Sequence, residues 1–289
     1  MRLCAFTDEI SLDFESALRT CADIGIEEVQ IRRVDGVNVV DLPDEAIDRL
    51  VRLTSDYDVR VAGIGSPFGK PPAQAFAAGL DEPSRRLHLA VFDRALALAE
   101  RFDAPLIRVF AVGTPSRDIA DFEARIGTSV TWLREPAIRA EKAARFLAIE
   151  NEYTTLTGTC RQVRRAIDLL GHPNVRVAWD VASGWWDGES IEQGYAQVRG
   201  MIADVHVRDV APDSIDPAKH GSIVRFGEGA IDWPDVLRRL AADNFGGTLT
   251  LETHLYSQDA ERWTKLPIAT MDAAAEVRKL LVKASEARV

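Results

Sequence analysis

Short runs of apolar and β-branched residues alternate along the whole chain with longer stretches whose apolar positions recur at helical spacing. The runs that read as strands cover residues 3–7, 28–32, 60–64, 106–110, 146–150, 176–180, 203–207 and 248–252. Several are nearly continuous apolar runs, as expected where both faces of a sheet are covered. The first helical stretch has Ser11 as its N-cap, apolar positions at Leu12, Phe14, Ala17, Leu18 and Cys21, and Gly25 as its stop. The others cover 44–55, 83–102, 118–144, 159–170, 190–200, 233–241 and 259–287. Pro43 and Pro234 suit first-turn positions, and Pro136 predicts a kink or a split in the fourth stretch.

Eight strand-helix units in 289 residues predict an α/β fold of the (β/α)8 TIM-barrel type. No Pro/Ser linker or low-complexity tract divides the chain, so residues 1–289 are expected to form a single domain. An open dinucleotide-binding sheet would carry a glycine-rich turn after its first strand, where this chain has Thr7-Asp8-Glu9-Ile10. The segment Gly63-Ile64-Gly65-Ser66-Pro67-Phe68-Gly69-Lys70 only loosely resembles a phosphate loop, and Pro71 stands where that loop needs Ser or Thr.

Composition narrows the function. With 46% hydrophobic and 28% charged residues, the chain is neither disordered nor fibrous. Lys and Arg total 35 against 45 Asp and Glu, and the net charge of -10 disfavours nucleic acid and anionic lipid as partners. No stretch reaches the roughly 18 apolar residues of a membrane span. Thr7, Asp8 and Glu9 interrupt the N-terminal apolar run before an export signal can form, so a cytoplasmic protein is expected. Cys4, Cys21 and Cys160 lack metal-site spacing and read as buried thiols.

In such a barrel the chemistry collects at the C-terminal ends of the strands. Strands five to eight end in Ile149-Glu150-Asn151-Glu152, Trp179-Asp180, Val205-His206-Val207-Arg208-Asp209 and Leu251-Glu252-Thr253-His254. Glu150, Asp180, His206 and Glu252 would converge there as three carboxylates and one imidazole. That set suits one divalent cation, Mn²⁺ foremost, with Mg²⁺, Co²⁺ or Zn²⁺ as alternatives. Without a cation, converging carboxylates would repel one another.

Several further residues are candidates for substrate binding. Arg208 shares the strand parity of His206 and could face the site, or could pair with Asp209 or Glu228. Lys70 and Arg225 fall on predicted mouth loops and could hold an anionic group. Trp185 and Trp186 could wall a sugar face or pack beneath their loop. His254 could contact substrate or cap the rim, Glu152 reads as a support for Glu150, and His88 and His172 carry no site role.

These residues resemble the sugar phosphate isomerase/epimerase family with the xylose-isomerase-like TIM barrel. The resemblance runs through Phe6-Thr7-Asp8-Glu9-Ile10-Ser11, Gly65-Ser66-Pro67-Phe68-Gly69-Lys70, Ile149-Glu150-Asn151, Asp204-Val205-His206-Val207-Arg208-Asp209 and Gly227-Glu228-Gly229-Ala230-Ile231-Asp232-Trp233. It implies Glu150, Asp180, His206 and Glu252 as metal ligands, with Glu150 and Glu252 as the catalytic acid/base pair. It implies isomerisation or epimerisation of a small sugar, polyol or sugar phosphate through a metal-stabilised enediolate, and a homo-oligomer is compatible with it. One departure matters. Many relatives carry a substrate-contacting His three residues after the strand-six Asp, and here that place is Ser183. A dehydratase of the inosose or dehydroshikimate type is therefore the second reading, and a non-catalytic sugar or metal-binding barrel the third. An abasic-site endonuclease on the same scaffold would need a histidine-rich zinc site, whereas the chain has 5 His and a charge of -10.

Overall fold

The apolar runs pair in a computed structural model that describes residues 1–70, 81–115, 118–216, 221–255 and 266–286. Eight strands form a closed barrel: β1 (Arg2–Phe6), β2 (Glu28–Ile31), β3 (Arg60–Gly65), β4 (Leu106–Val109), β5 (Phe146–Glu150), β6 (Val175–Asp180), β7 (Ile202–Val207) and β8 (Thr248–Leu251). Every neighbouring pair is parallel and adjacent in chain order, with β1 closing on β8. The observed strands differ from the expected ones by a residue or so at their ends, where pairing rather than apolar character decides the boundary.

The outer helices are α1 (Phe14–Asp23), α2 (Asp44–Asp56), α3 (Glu82–Arg101), α4 (Ile119–Lys142), α5 (Cys160–Leu170), α6 (Ile191–Val198), α7 (Trp233–Ala242) and α8 (Leu266–Glu286). Local chemistry sets their ends. In α5, Thr159 and Gln162 form a reciprocal capping box, and Gly171 stops the helix in the left-handed region at φ 60°. The buried face of α5, Cys160, Val163, Ala166, Ile167 and Leu170, follows the 3.6-residue period.

Three expectations change. The cap of α1 is Asp13, which accepts from Ser16 N at 2.8 Å, while Ser11 ends a separate short helix, Thr7–Ile10. Helix α4 continues through Pro136 as one element, its apolar face including Trp132, Leu133, Pro136 and Ala137 packed inward. Pro43 is the N-cap of α2 rather than its first-turn residue. Of the helix expected over 259–287, α8 covers Leu266–Glu286, and the remaining residues lie outside the described ones.

Strand register fixes the site. His206 is paired with Asp180 on one side and Thr250 on the other, so these three side chains lie at one level and one parity. Glu150 pairs with Ala178, two residues before Asp180. Beneath this level Leu106, Ala148 and Ala178 form a small apolar cluster.

Candidate active site

Four side chains projected by β5, β6, β7 and the end of β8 converge. Glu150, Asp180, His206 and Glu252 are all buried, and one ligand atom from each lies within 4.8 Å of the others. His206 Nδ1 is 3.4 Å from Glu150 Oε1 and 3.3 Å from Glu252 Oε2. By hydrogen-bond geometry Glu150 Oε2, Glu252 Oε2 and both ring nitrogens of His206 are unmatched among the described residues, although charged neighbours lie close: Arg108 Nη1 is 3.0 Å from Glu150 Oε2, and Asp204 Oδ2 is 3.2 Å from His206 Nε2. Buried polar atoms left in that state are costly unless a cation or proton joins them. Three carboxylates and an imidazole fit a divalent cation on this ground, and the cluster can hold one.

Burial and neighbouring charges compete at each of these groups. Burial opposes ionisation of Glu150, but His206 and Arg108 hold its pKa down at about 2. Burial likewise works against Glu252, which His254, Arg208 and His206 hold well below the usual carboxylate range. For Asp180, burial outweighs Arg208 and the pKa is raised. Burial disfavours the imidazolium of His206, yet Glu150 and Glu252 raise its pKa well above the usual value.

A ring of arginines surrounds the cluster. Arg208 does face the site, as its parity predicts, and its partner there is Asp180 rather than Asp209 or Glu228: Nε donates to Oδ1 at 3.3 Å and Nη2 to Oδ2. Asp209 instead accepts from the backbone N–H groups of Gly227, Gly229 and Ile231, shaping the loop before α7. Ser183 gives its hydroxyl to Asp180 Oδ2 at 3.0 Å and its backbone N–H to Oδ1 at 3.1 Å.

Two arginines were invisible as site residues in the sequence. Arg32, just past β2, bonds Asp8 at 3.0 Å, Glu9 at 2.7 Å and Glu252 Oε1 at 2.5 Å. Arg108, inside β4, has Nη1 3.0 Å from Glu150 Oε2. Arg108 was a lone charge in an apolar strand, and Arg32 stood at the end of one beside Arg33; only their parity relative to the mouth could have exposed them.

The cluster opens into a cavity of about 950 Å³ whose wall includes Arg32, Ser66, Lys70, His88, Arg108 and His254. Lys70 lines it but is paired with Glu152 Oε2 at 3.1 Å. His254 meets Glu9 Oε1 at 2.7 Å and Glu252 Oε1 at 3.3 Å; burial opposes its charge, but Glu9 and Glu252 push its pKa up to about 9. His88, expected to have no site role, reaches the cavity wall from α3 and accepts from Gly69 N at 3.1 Å. Its ring packs on Phe68 and Trp132, an arrangement that helix position alone does not predict.

Two expected residues stand elsewhere. Arg225 belongs to a separate groove with Phe226, Glu228 and Asp272, because its loop turns toward α8. Neither Trp185 nor Trp186 lines the cavity: Trp186 is buried with the Arg208 guanidinium 4.9 Å from its ring centre, and Phe110 is an aromatic of the cavity wall. His172 lies in the turn after α5, 2.5 Å from Asn174 Oδ1, and takes no part in the site.

A closed eight-stranded barrel with this carboxylate-imidazole mouth defines a class, and sequence comparison agrees: residues 18–274 match the xylose isomerase-like TIM barrel family, to which the chain belongs. No curated protein matches it in sequence. Among solved structures it is similar to a D-tagatose 3-epimerase-like protein, with 16% identity and a TM-score of 0.78 over 100% of both chains. A D-psicose 3-epimerase from Clostridium cellulolyticum H10 has 17% identity and a TM-score of 0.74, over 97% of this chain and 99% of that one. The probable 3-DHS dehydratase of petrobactin synthesis from Bacillus anthracis has 16% identity and a TM-score of 0.73, over 96% and 99%. At such identities the likeness is one of fold.

Proposed function

We propose that the chain is a divalent-metal-dependent isomerase or epimerase of a small sugar, polyol or sugar phosphate. The observation that carries this reading is the approach of Glu150 and Glu252 to His206 Nδ1, at 3.4 and 3.3 Å, in a buried group that also includes Asp180. A cation held by Glu150, Asp180, His206 and Glu252 would supply Lewis acidity to the substrate oxygens.

The chain's own residues then account for the proton. Changing configuration beside a carbonyl requires removal of a carbon-bound proton, and an ionised carboxylate can accept it. Glu150 and Glu252 are both held ionised by their cationic neighbours, so either can act as the base; the other must first take up a proton from solvent to return one to carbon, and the base gives its proton back to solvent. Return to the opposite face of the same carbon inverts it, which is epimerisation. Return to the neighbouring carbon interconverts aldose and ketose. Arg32 fixes Glu252 through Oε1 and leaves Oε2 directed at the cluster.

The test is incubation with Mn²⁺ and a ketose panel in D₂O. Turnover with deuterium at carbon is expected; absence of both overturns the reading. A dehydratase is the second reading, because Ser183 stands where many relatives carry a substrate-contacting histidine and here gives its hydroxyl to Asp180. Loss of a β-hydroxyl would lower the product mass by one water, whereas isomerisation conserves mass.

A further inference from the structure

Most cations on the cavity wall are already neutralised. Arg32 is bonded to Asp8, Glu9 and Glu252, Arg108 lies beside Glu150, Lys70 beside Glu152, and His254 between Glu9 and Glu252. Arg33 also lines the cavity, is exposed, and has no ion pair or hydrogen bond among the described residues. Of the described cations on the wall, it alone carries a charge that no carboxylate answers.

The local fold gives Arg33 a fixed companion. Just past β2, Arg33–Val34 and Val37–Asn38 pair antiparallel around Asp35 and Gly36, whose φ angles of 53° and 79° make the tight turn of a two-residue hairpin. Arg33 stands directly opposite Asn38, so the two side chains leave the same face with their Cβ atoms about 4.5–5.5 Å apart. Both line the cavity. Asn38 Oδ1 accepts from Val40 N at 3.2 Å, which fixes the amide and leaves its NH₂ for a ligand. The hairpin is itself pinned, because Val34 is buried and Asp35 N donates to Leu12 O at 2.9 Å.

The pair thus offers N–H donors and one positive charge, with its side-chain acceptor already spent. A sugar hydroxyl both donates and accepts, whereas an oxyanion only accepts and matches this face in charge as well. Asp41, the exposed carboxylate of the described wall, makes no ion pair with Arg33. The same cavity joins the hairpin to Glu150 and Glu252 of the buried cluster.

We propose that Arg33 and Asn38 form an oxyanion subsite at the open side of the cavity, and that the ligand carries a phosphate or carboxylate group besides the part that meets the cluster. For the reaction this rests on the isomerase or epimerase reading, and it narrows the substrate from neutral sugars and polyols to sugar phosphates or sugar acids.

Inorganic phosphate and acetate probe the subsite without turnover. Each is titrated by calorimetry into the full-length metal-free chain at a pH where both are ionised, the metal being left out because these anions also bind Mn²⁺. Wild type is expected to bind at least one of them, and the tighter of the two identifies the group. Arg33→Gln should weaken that binding about tenfold or more, the usual worth of a hydrogen bond to a charged group. Asn38→Asp keeps the acceptor for Val40 N but sets a carboxylate opposite Arg33, so it should abolish binding, and Asp41→Asn should strengthen it. Mn²⁺ affinity, measured separately on each variant, should stay at the wild-type value. No binding of either anion by wild type, or undiminished affinity in Arg33→Gln or Asn38→Asp, would overturn the proposal and make Arg33 a solvated surface charge. Anion binding that depends on Arg33, in a protein that turns over no ketose, would uphold the subsite and remove the isomerase reading. Turnover of a neutral ketose without anion binding would do the reverse.

Discussion

The Asp204 carboxylate lies 3.2 Å from His206 Nε2, directly beneath the cluster, and is itself immobilised. Thr248 and Thr250 each donate to Asp204 Oδ1 at 2.6 Å, and Gln30 donates to Oδ2 at 2.6 Å. A carboxylate at Nε2 favours the proton on that nitrogen and turns the Nδ1 lone pair toward Glu150 and Glu252. The barrel interior thereby orients the imidazole from β2, β7 and β8 at once.

Asp204→Asn tests that support. Replacing one acceptor oxygen by an NH₂ disturbs the bonds from Thr248, Thr250 or Gln30 and weakens the hold on the imidazole. Metal affinity measured by calorimetry should fall about 10- to 100-fold, the usual effect of losing the outer partner of a ligating histidine. Unchanged affinity would show that ring packing alone orients His206.

The same interior shows which parts of the site can be read from sequence. The barrel was legible because eight apolar runs alternate with amphipathic helices, and Glu150, Asp180, His206 and Glu252 were legible because each ends such a run. Parity also placed Arg208 correctly. Gln30, Arg32 and Arg108 were missed because their meaning depends on cross-barrel partners, which no local pattern encodes. Arg225 was misplaced because its loop packs toward α8, a tertiary outcome that loop composition does not fix.

Removing either candidate acid/base group separates chemistry from folding. Glu150→Gln and Glu252→Gln preserve side-chain shape but cannot accept a proton, so turnover with Mn²⁺ and a responsive ketose should fall by about 10²- to 10⁴-fold in each. Circular dichroism should show a folded barrel in both. Wild-type rates in both variants would remove these residues from the proton-transfer step.

Proton and cation should compete for His206. Burial disfavours its charged form, but Glu150 and Glu252 hold its pKa well above the usual 6.5. In the metal-free protein the imidazolium therefore contributes stability that is full below about pH 6.5 and is lost as pH rises through the elevated folded value. A cation binding the same nitrogen must expel that proton. Metal affinity should thus climb as pH is raised from about 6.5, with about one proton released per cation. Calorimetry in two buffers of different ionisation heat checks this, and proton-independent binding would take His206 out of the ligand set.

Arg32 neutralises three carboxylates at once, so its loss should be felt in stability as well as chemistry. Arg32→Gln leaves Asp8, Glu9 and Glu252 without their common cation, although Glu9 and Glu252 keep His254. Breaking a buried ion pair by removing one partner typically costs about 3–5 kcal/mol. Urea unfolding of the metal-free variant should show a loss of that order. A loss below about 1 kcal/mol, the range of surface pairs, would mean that solvent already screens the network.

Gly65→Ala makes a finer cut, because the added methyl meets two arginines and none of the candidate metal ligands. Its Cβ would lie 2.9 Å from Arg108 Nη2 and 3.0 Å from Arg32 Cβ. The guanidinium end of Arg108 can swing aside, whereas Arg32 Cβ can move only with its backbone. Overpacking of this kind costs about 1–3 kcal/mol. The variant should therefore melt earlier while keeping its Mn²⁺ affinity, since Glu150, Asp180, His206 and Glu252 are untouched. A fall in Mn²⁺ affinity measured by calorimetry would instead mean that displacing the two arginines reaches Glu150 and Glu252, their partners in the cluster.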